Sequence, residues 1–359
     1  MRRLALAVAL LAGSLGLLAT LSAPPAVAEP AVPRSFFGVV PQGPLGAADF
    51  RRMRGVVGTL RIPVYWPQVE SRAGELDFGS LDAIVSTAAA SGVRVLPFVY
   101  GTPAWLAADP ARPPLGAAAR SAWKGFLLAL VHRYGPRGKL WGRGPARMAI
   151  RRWQIWNEPN FLLFWRPRPS PGGYARLLGV SARAIRGADR GAQIVAAGLA
   201  PVEGGMLPWT FLRKLYAVPG VRAAFDLAAV HPYSSSLGGM AYQVRKARQV
   251  MAAAGDGDKP LLVSELGVAS DSQFPTAFNW GSKGQATFLR RAYGLLLGAR
   301  QRWRIAGIDW YAWQDMATAD PHCVFCKYAG LFDPSGEPKP AWRALRGVVA
   351  SNRRGQPVR

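Results

Sequence analysis

Cysteine is nearly absent from this sequence. Cys323 and Cys326 are the only two, and they sit three residues apart. That leaves room for one local disulfide, and His322 beside the pair is too little to complete a zinc site. Acids are scarce as well, 20 Asp and Glu against 45 Lys and Arg, for a net charge of +25. Yet no helix-turn-helix, zinc-finger or RNA-binding motif accompanies that charge, which argues against a nucleic-acid partner. After the first 21 residues no apolar stretch is long enough to span a membrane. The first strand-like run is also not followed by a phosphate-binding glycine loop. Gly38-Val39-Val40-Pro41-Gln42-Gly43 does not read as one, so a doubly wound nucleotide-binding sheet is the weaker alternative for the fold.

What is present begins with an export signal. Arg2-Arg3 precedes an apolar stretch from Leu4 to Leu21, and Ala26-Val27-Ala28 is a small-residue cleavage site. Residues 1–28 are therefore expected to be a signal peptide, with an uncleaved membrane anchor as the alternative reading. The protein is expected to be secreted or held at the cell surface. Residues 29–35 form a short Pro-rich leader, 36–350 one folded domain, and 351–359 a basic tail. The apolar fraction of 50% is ample for one large core.

Along residues 36–350 one pattern repeats. A short apolar run ends in a polar or aromatic cluster, and a helix-like segment follows. The runs are Phe36 to Val40, Gly58 to Trp66, Val93 to Tyr100, Ala149 to Trp156, Gln193 to Leu199, Phe225 to Val230, Pro260 to Ser264 and Ile305 to Ala312. Eight such units predict an α/β fold, a single (β/α)8 TIM barrel. Chemistry in that architecture sits at the C-terminal ends of the strands. There the sequence places Arg61 and Trp66, Tyr100 and Trp105, Asn157 and Glu158, His231 and Tyr233, Glu265, and Trp313. Two carboxylates facing one another suit glycosidic hydrolysis. One acid protonates the leaving oxygen while a second carboxylate attacks the anomeric carbon or activates water. Aromatic rings suit the apolar faces of sugars.

The motifs Trp156-Asn157-Glu158-Pro159-Asn160 with Phe164-Trp165 soon after, His231-Pro232-Tyr233, and Ser264-Glu265-Leu266-Gly267 together resemble the clan of retaining (β/α)8 glycoside hydrolases. That clan includes the family-five cellulases and the family-thirty-nine xylosidases and iduronidases. The fourth-strand segment is most similar to family thirty-nine. The resemblance implies Glu158 as acid/base and Glu265 as nucleophile. It implies that Asn157 bonds the sugar 2-hydroxyl and that Arg61 keeps Glu265 ionised. Tyr233 would touch Glu265, His231 would position the acid/base or the sugar, and Trp313 would floor the reacting subsite. Trp66 and Trp105 are further candidates for sugar contact. Leu266 departs from the clan, where an aromatic residue often follows the nucleophile.

No cofactor and no metal are expected. The expected partner is a β-linked oligo- or polysaccharide. The arginine excess leans toward an acidic or matrix polysaccharide, although its scatter along the chain (Arg51-Arg52, Arg151-Arg152, Arg290-Arg291, Arg353-Arg354) fits a solvated surface better than a binding patch. A non-catalytic glycan-binding or cell-wall-associated barrel is the competing function.

Overall fold

All eight apolar runs form strands, and the strands pair in parallel, in chain order, into a closed barrel. The structure is a computed structural model that describes residues 31–142, 148–271, 276–318 and 323–358. The expected signal segment and His322 lie outside the described residues. The strands are β1 Phe37–Val40, β2 Thr59–Tyr65, β3 Arg94–Tyr100, β4 Arg152–Ile155, β5 Gln193–Leu199, β6 Leu227–Val230, β7 Leu261–Leu266 and β8 Ile305–Tyr311. Around them run α1 Ala47–Met53, α2 Trp66–Val69, α3 Gly79–Ala90, α4 Ala117–Tyr134, α5 Pro171–Ala188, α6 Pro208–Tyr216, α7 Leu237–Ala253, α8 Gly281–Gly298, α9 Arg300–Trp303 and α10 Pro340–Arg353. Every residue of β1, β6 and β7 is buried, as expected for parallel strands covered on both faces.

The core has two parts. Leu96, Val195, Leu227, Ala229 and Leu262 form a cluster of their own, drawn from four strands. They fill the barrel interior, so the barrel is a packed core and not a pore. A much larger cluster lies between strands and helices. It includes Trp123 and Leu127 of α4, Leu177 of α5, and Phe288 and Leu289 of α8. The two ends of the described chain meet, because Val32 exchanges two 3.0 Å hydrogen bonds with the side chain of Asn352. Among the described residues no helix is long and apolar enough to cross a membrane.

Two strand ends differ from the sequence expectation in ways that matter. The fourth strand is shorter and stops at Ile155, before Trp156. The seventh runs on past Ser264 to Leu266, so Glu265 lies within the strand. Its register with β8 shifts between Val263 and Leu266. An irregularity of that kind re-aims side chains at a barrel rim, and here Ser264 and Glu265 are the residues in between.

Candidate active site

The fourth strand ends in a tight elbow. Trp156 and Glu158 both take left-handed backbone angles, φ 70° and φ 38°, which non-glycine residues rarely adopt and which must be held by their surroundings. The holding contacts are specific. Trp156 donates its backbone N–H to Val99 O at 2.8 Å and its indole N–H to Phe164 O at 2.6 Å. Its ring packs edge-on against Trp123 and Trp165. Asn160 donates to Ala200 O and Met206 O, each at 2.7 Å. Pinned on both sides, the elbow presents Asn157 and Glu158 to the centre of the barrel mouth.

Arg61 organises the opposite side. It is fully buried and uses its guanidinium in three directions. Nε donates to Gln154 Oε1 at 2.7 Å, Nη1 to Glu265 Oε1 at 2.6 Å and Nη2 to Asn157 Oδ1 at 2.9 Å. The flat face lies 3.9 Å from the centre of the Phe98 ring. A planar fork suits three acceptors at fixed angles in a way that an ammonium would not.

The strand β6 end supplies the remaining contacts. His231 Nδ1 lies 2.6 Å from Glu158 Oε1 and 3.5 Å from Glu265 Oε2. Tyr233 donates its hydroxyl to Glu265 Oε2 at 2.7 Å. The imidazole needs room next to β5, and Gly198 provides it. A Cβ on Gly198 would stand 1.9 Å from His231 Nε2.

These contacts drive the two carboxyls apart in acidity. Burial raises Glu158 above the usual carboxylate range, and the hydrogen bond from His231 only partly offsets it. Burial also pushes Glu265 upward, but His231, Arg61 and the Tyr233 hydrogen bond outweigh it and leave Glu265 below its ordinary value. One group is thus disposed to carry a proton and its neighbour to be ionised, the division of labour that acid/base chemistry between paired carboxyls requires.

Glu158, His231 and Glu265 each place a donor atom within 4.8 Å of the others. Arg61 Nη1 already sits 2.6 Å from Glu265 Oε1, and His231 Nδ1 sits 2.6 Å from Glu158 Oε1, so each carboxyl of the group has a protein partner. The cluster therefore reads as a proton-transfer site.

Of the residues expected at the mouth, the structure brings together Arg61, Asn157, Glu158, His231, Tyr233 and Glu265. It does not bring Trp66 or Trp313. Trp66 is fully buried, donates to Glu70 Oε2 at 2.6 Å and stacks on Phe126. Trp313 is 1% exposed, donates to Asp49 Oδ1 at 2.9 Å and packs between Phe332 and Trp342. Neither ring has a face open to a sugar, so both are packing residues. Trp105 is partly exposed, yet its ring meets Trp66 edge-on and its N–H donates to Glu70 O at 3.1 Å. Cys323 and Cys326 are joined in a disulfide.

Sequence reasoning missed several contributors. Tyr311 lies at the end of β8, two residues before Trp313, with its ring 6.3 Å from that of Tyr233. Gln154 and Phe98 brace Arg61 from inside the barrel. Asp309 is buried beneath the site, facing Gly38 across the β1–β8 pairing, where a Cβ would clash at 1.7 Å. Burial raises its carboxyl to about 8, against the pull of Arg61. The period-two alternation of β4 and β8 could have revealed Gln154, Asp309 and Tyr311 as inward-facing positions.

No protein-family model matches the sequence, and no curated protein matches it. Solved structures do. One is a family 39 glycoside hydrolase from the gut symbiont Bacteroides cellulosilyticus WH2, with a TM-score of 0.67 and 19% identity, covering 90% of this chain. This chain spans 64% of that enzyme's length. A GH5_18 protein from Streptomyces cattleya, solved in complex with GlcNAc, matches with a TM-score of 0.69 at 16% identity over 90% of this chain and 81% of its own. A monomeric beta-xylosidase from Caulobacter crescentus CB15 matches with a TM-score of 0.63 at 18% identity, over 89% and 69% of the two chains. The chain thus has the closed eight-stranded barrel found in glycoside hydrolases of families 39 and 5.

Proposed function

We propose that this chain is an exported retaining glycoside hydrolase acting on β-glycosidic bonds, with Glu158 as acid/base and Glu265 as nucleophile. The observation that carries the proposal is the approach of the two carboxylates. An oxygen of each lies within 4.8 Å of the other. Retaining enzymes hold their carboxyls about 5–5.5 Å apart, whereas inverting ones need roughly 6.5–9.5 Å to admit a water. The spacing supports direct attack by Glu265.

In this reading both carboxylate oxygens of Glu265 are held in place: Oε1 accepts from Arg61 Nη1 and Oε2 from the Tyr233 hydroxyl. As a carboxylate oxygen attacks the anomeric carbon, Glu158 gives its proton to the departing glycosidic oxygen. Glu265 then carries an ester and no charge, so Glu158 loses a nearby negative neighbour and its acidity rises. Having given up its proton it stays ionised, and as a base it takes a proton from the water that attacks the ester, freeing Glu265 and releasing the sugar with retained configuration. His231, 2.6 Å from Glu158, orients the carboxyl through both steps. Asn157 Oδ1 is taken by Arg61, so what Asn157 offers the sugar 2-hydroxyl is its amide N–H. Export rests on the N-terminal signal and the disulfide fits an oxidising compartment. The β-linked substrate is a carbohydrate of oligo- or polysaccharide class, and neutral xylan- or mannan-type and acidic polymers are both candidates.

The test is a panel of aryl β-glycosides and polysaccharides, with Glu158→Ala and Glu265→Ala as controls. Turnover by the wild type that is lost in Glu265→Ala supports the reading. Glycan binding with no product from any substrate would favour the non-catalytic alternative.

A further inference from the structure

We propose that Phe325, held by the Cys323–Cys326 disulfide, is a positioning residue that sets Glu265 through the ring of Tyr233. The inference rests on the reading of Glu265 as nucleophile.

After β8 the chain returns toward the mouth in one short turn, Val324–Tyr328, and the disulfide closes across its start. The turn places the Phe325 ring 5.2 Å from the Tyr233 ring at 65°. Phe325 also stacks on Phe278 at 5.1 Å and 21°. Tyr233 meets Tyr311 at 6.3 Å and 89° from a further side. Its hydroxyl therefore reaches Glu265 from a ring gripped by two aromatic neighbours. A 2.7 Å hydrogen bond at the end of a side chain that turns about two bonds persists only when the ring is fixed.

The turn is itself tied to the barrel. Gln42 donates to Cys326 O at 2.8 Å and accepts from Tyr311 OH at 2.8 Å. Tyr328 O accepts from Ser270 N at 3.0 Å and from Lys339 Nζ at 3.1 Å. Met316 donates to Lys327 O at 3.0 Å. The chain just after Phe325 is thus anchored at Cys326, Lys327 and Tyr328, and the disulfide ties it back to Cys323 on the other side. A disulfide spanning three residues closes too small a loop to act mainly through the unfolded state. Its effect falls on position.

The consequence is visible in proton affinity. Glu265 is faced by Arg61 of β2, Tyr100 of β3, Glu158 after β4, His231 and Tyr233 after β6, and Asp309 of β8. Tyr311 of β8 faces Tyr233. Phe325 reaches this group through Tyr233. The Tyr233 hydrogen bond lowers Glu265. A loosened Tyr233 would let Glu265 rise, and the acid limb of the pH profile would move to higher pH.

The experiment compares kcat, KM and the pH profile of the wild type, Phe325→Ala, Phe325→Tyr and Cys323→Ser/Cys326→Ser, on an aryl glycoside that the wild type cleaves. The expected result is a loss of roughly tenfold in kcat for Phe325→Ala with little change in KM, as for a misplaced catalytic group. Its acid limb should move to higher pH. Phe325→Tyr should restore both. The double serine variant should move the same way, and adding it to Phe325→Ala should cost nothing further. If Phe325→Ala folds poorly, mild reduction of the wild type supplies the same comparison. A rise in KM with an unmoved acid limb would make Phe325 a sugar platform and overturn the inference. A wild type that cleaves no glycoside would instead fail the reading beneath it.

Discussion

Arg61 and Glu265 meet at 2.6 Å, Nη1 to Oε1, with side chains 0% and 10% exposed. The pair is the hinge of the site, because the same guanidinium also holds Asn157 and Gln154. Removing one partner of a buried pair leaves the other charge uncompensated and costs about 3–5 kcal/mol. Arg61→Met is expected to lose stability on that scale in urea unfolding and to shift the acid limb of kcat/KM upward. Arg61→Lys should rescue little, since one ammonium cannot serve three acceptors at the fork's angles. Wild-type stability in both variants would contradict the assignment.

Asp309 predicts a stability change with the opposite sign. Its folded carboxyl titrates at about 8, well above the unfolded value. A raised acid is neutral in the fold but ionised in the open chain at intermediate pH, so stability is full below the unfolded pKa and declines as pH rises through the folded one. Asp309→Asn should therefore raise Tm at pH 7 and give a smaller gain near pH 4. Glu265, held low, contributes in reverse. Its stabilisation is present above its unfolded pKa and is lost as pH falls through the folded value. A gain in Asp309→Asn that does not depend on pH would refute the account of Asp309.

Activity should follow a bell-shaped profile. In the proposed mechanism Glu265 must be ionised to attack and Glu158 protonated to donate, so the depressed acid sets the acid limb and the raised one the basic limb. In Glu158→Gln the basic limb should disappear, with activity surviving best on substrates whose leaving group needs no proton.

Gly198→Ala tests His231 without altering any ionisable group. The new Cβ would meet His231 Nε2 at 1.9 Å and push the ring off Glu158. A displacement of that size at a catalytic contact costs on the order of a hundredfold, and kcat should bear most of it. Full activity in the variant would mean that the imidazole is not needed where it stands.

Trp313 and Tyr311 should behave in opposite ways. Trp313→Ala removes a buried ring and its hydrogen bond to Asp49 Oδ1, at a cost of about 3–5 kcal/mol, while leaving KM of the folded fraction unchanged. Tyr311→Ala should leave the fold largely intact and impair turnover through Tyr233. The reverse outcome would return Trp313 to the sugar-binding surface.

The barrel was legible because eight apolar runs, each followed by a helical pattern, leave few other ways to cover both faces of a strand. The motif residues were legible for a related reason. Glu158 and Glu265 are acids at the ends of apolar strands, where a carboxylate without a task would be expensive. The tryptophans misled. A ring just past a strand end can turn toward the cleft or down onto the helices, and composition does not distinguish them. Trp66 and Trp313 went to the helices because Glu70 and Asp49 accept their N–H groups there. Phe325 was invisible to the sequence reading, because its placement against Tyr233 depends on a turn that brings it back from residues far along the chain.

The stereochemistry of the first product tests the central claim most directly. Proton NMR of a β-glycoside during early hydrolysis distinguishes the anomer released before mutarotation. The β-anomer appearing first is the predicted result, because Glu158 and Glu265 stand close enough for an ester intermediate. The α-anomer appearing first would mean single displacement by water and would remove Glu265 from the role of nucleophile.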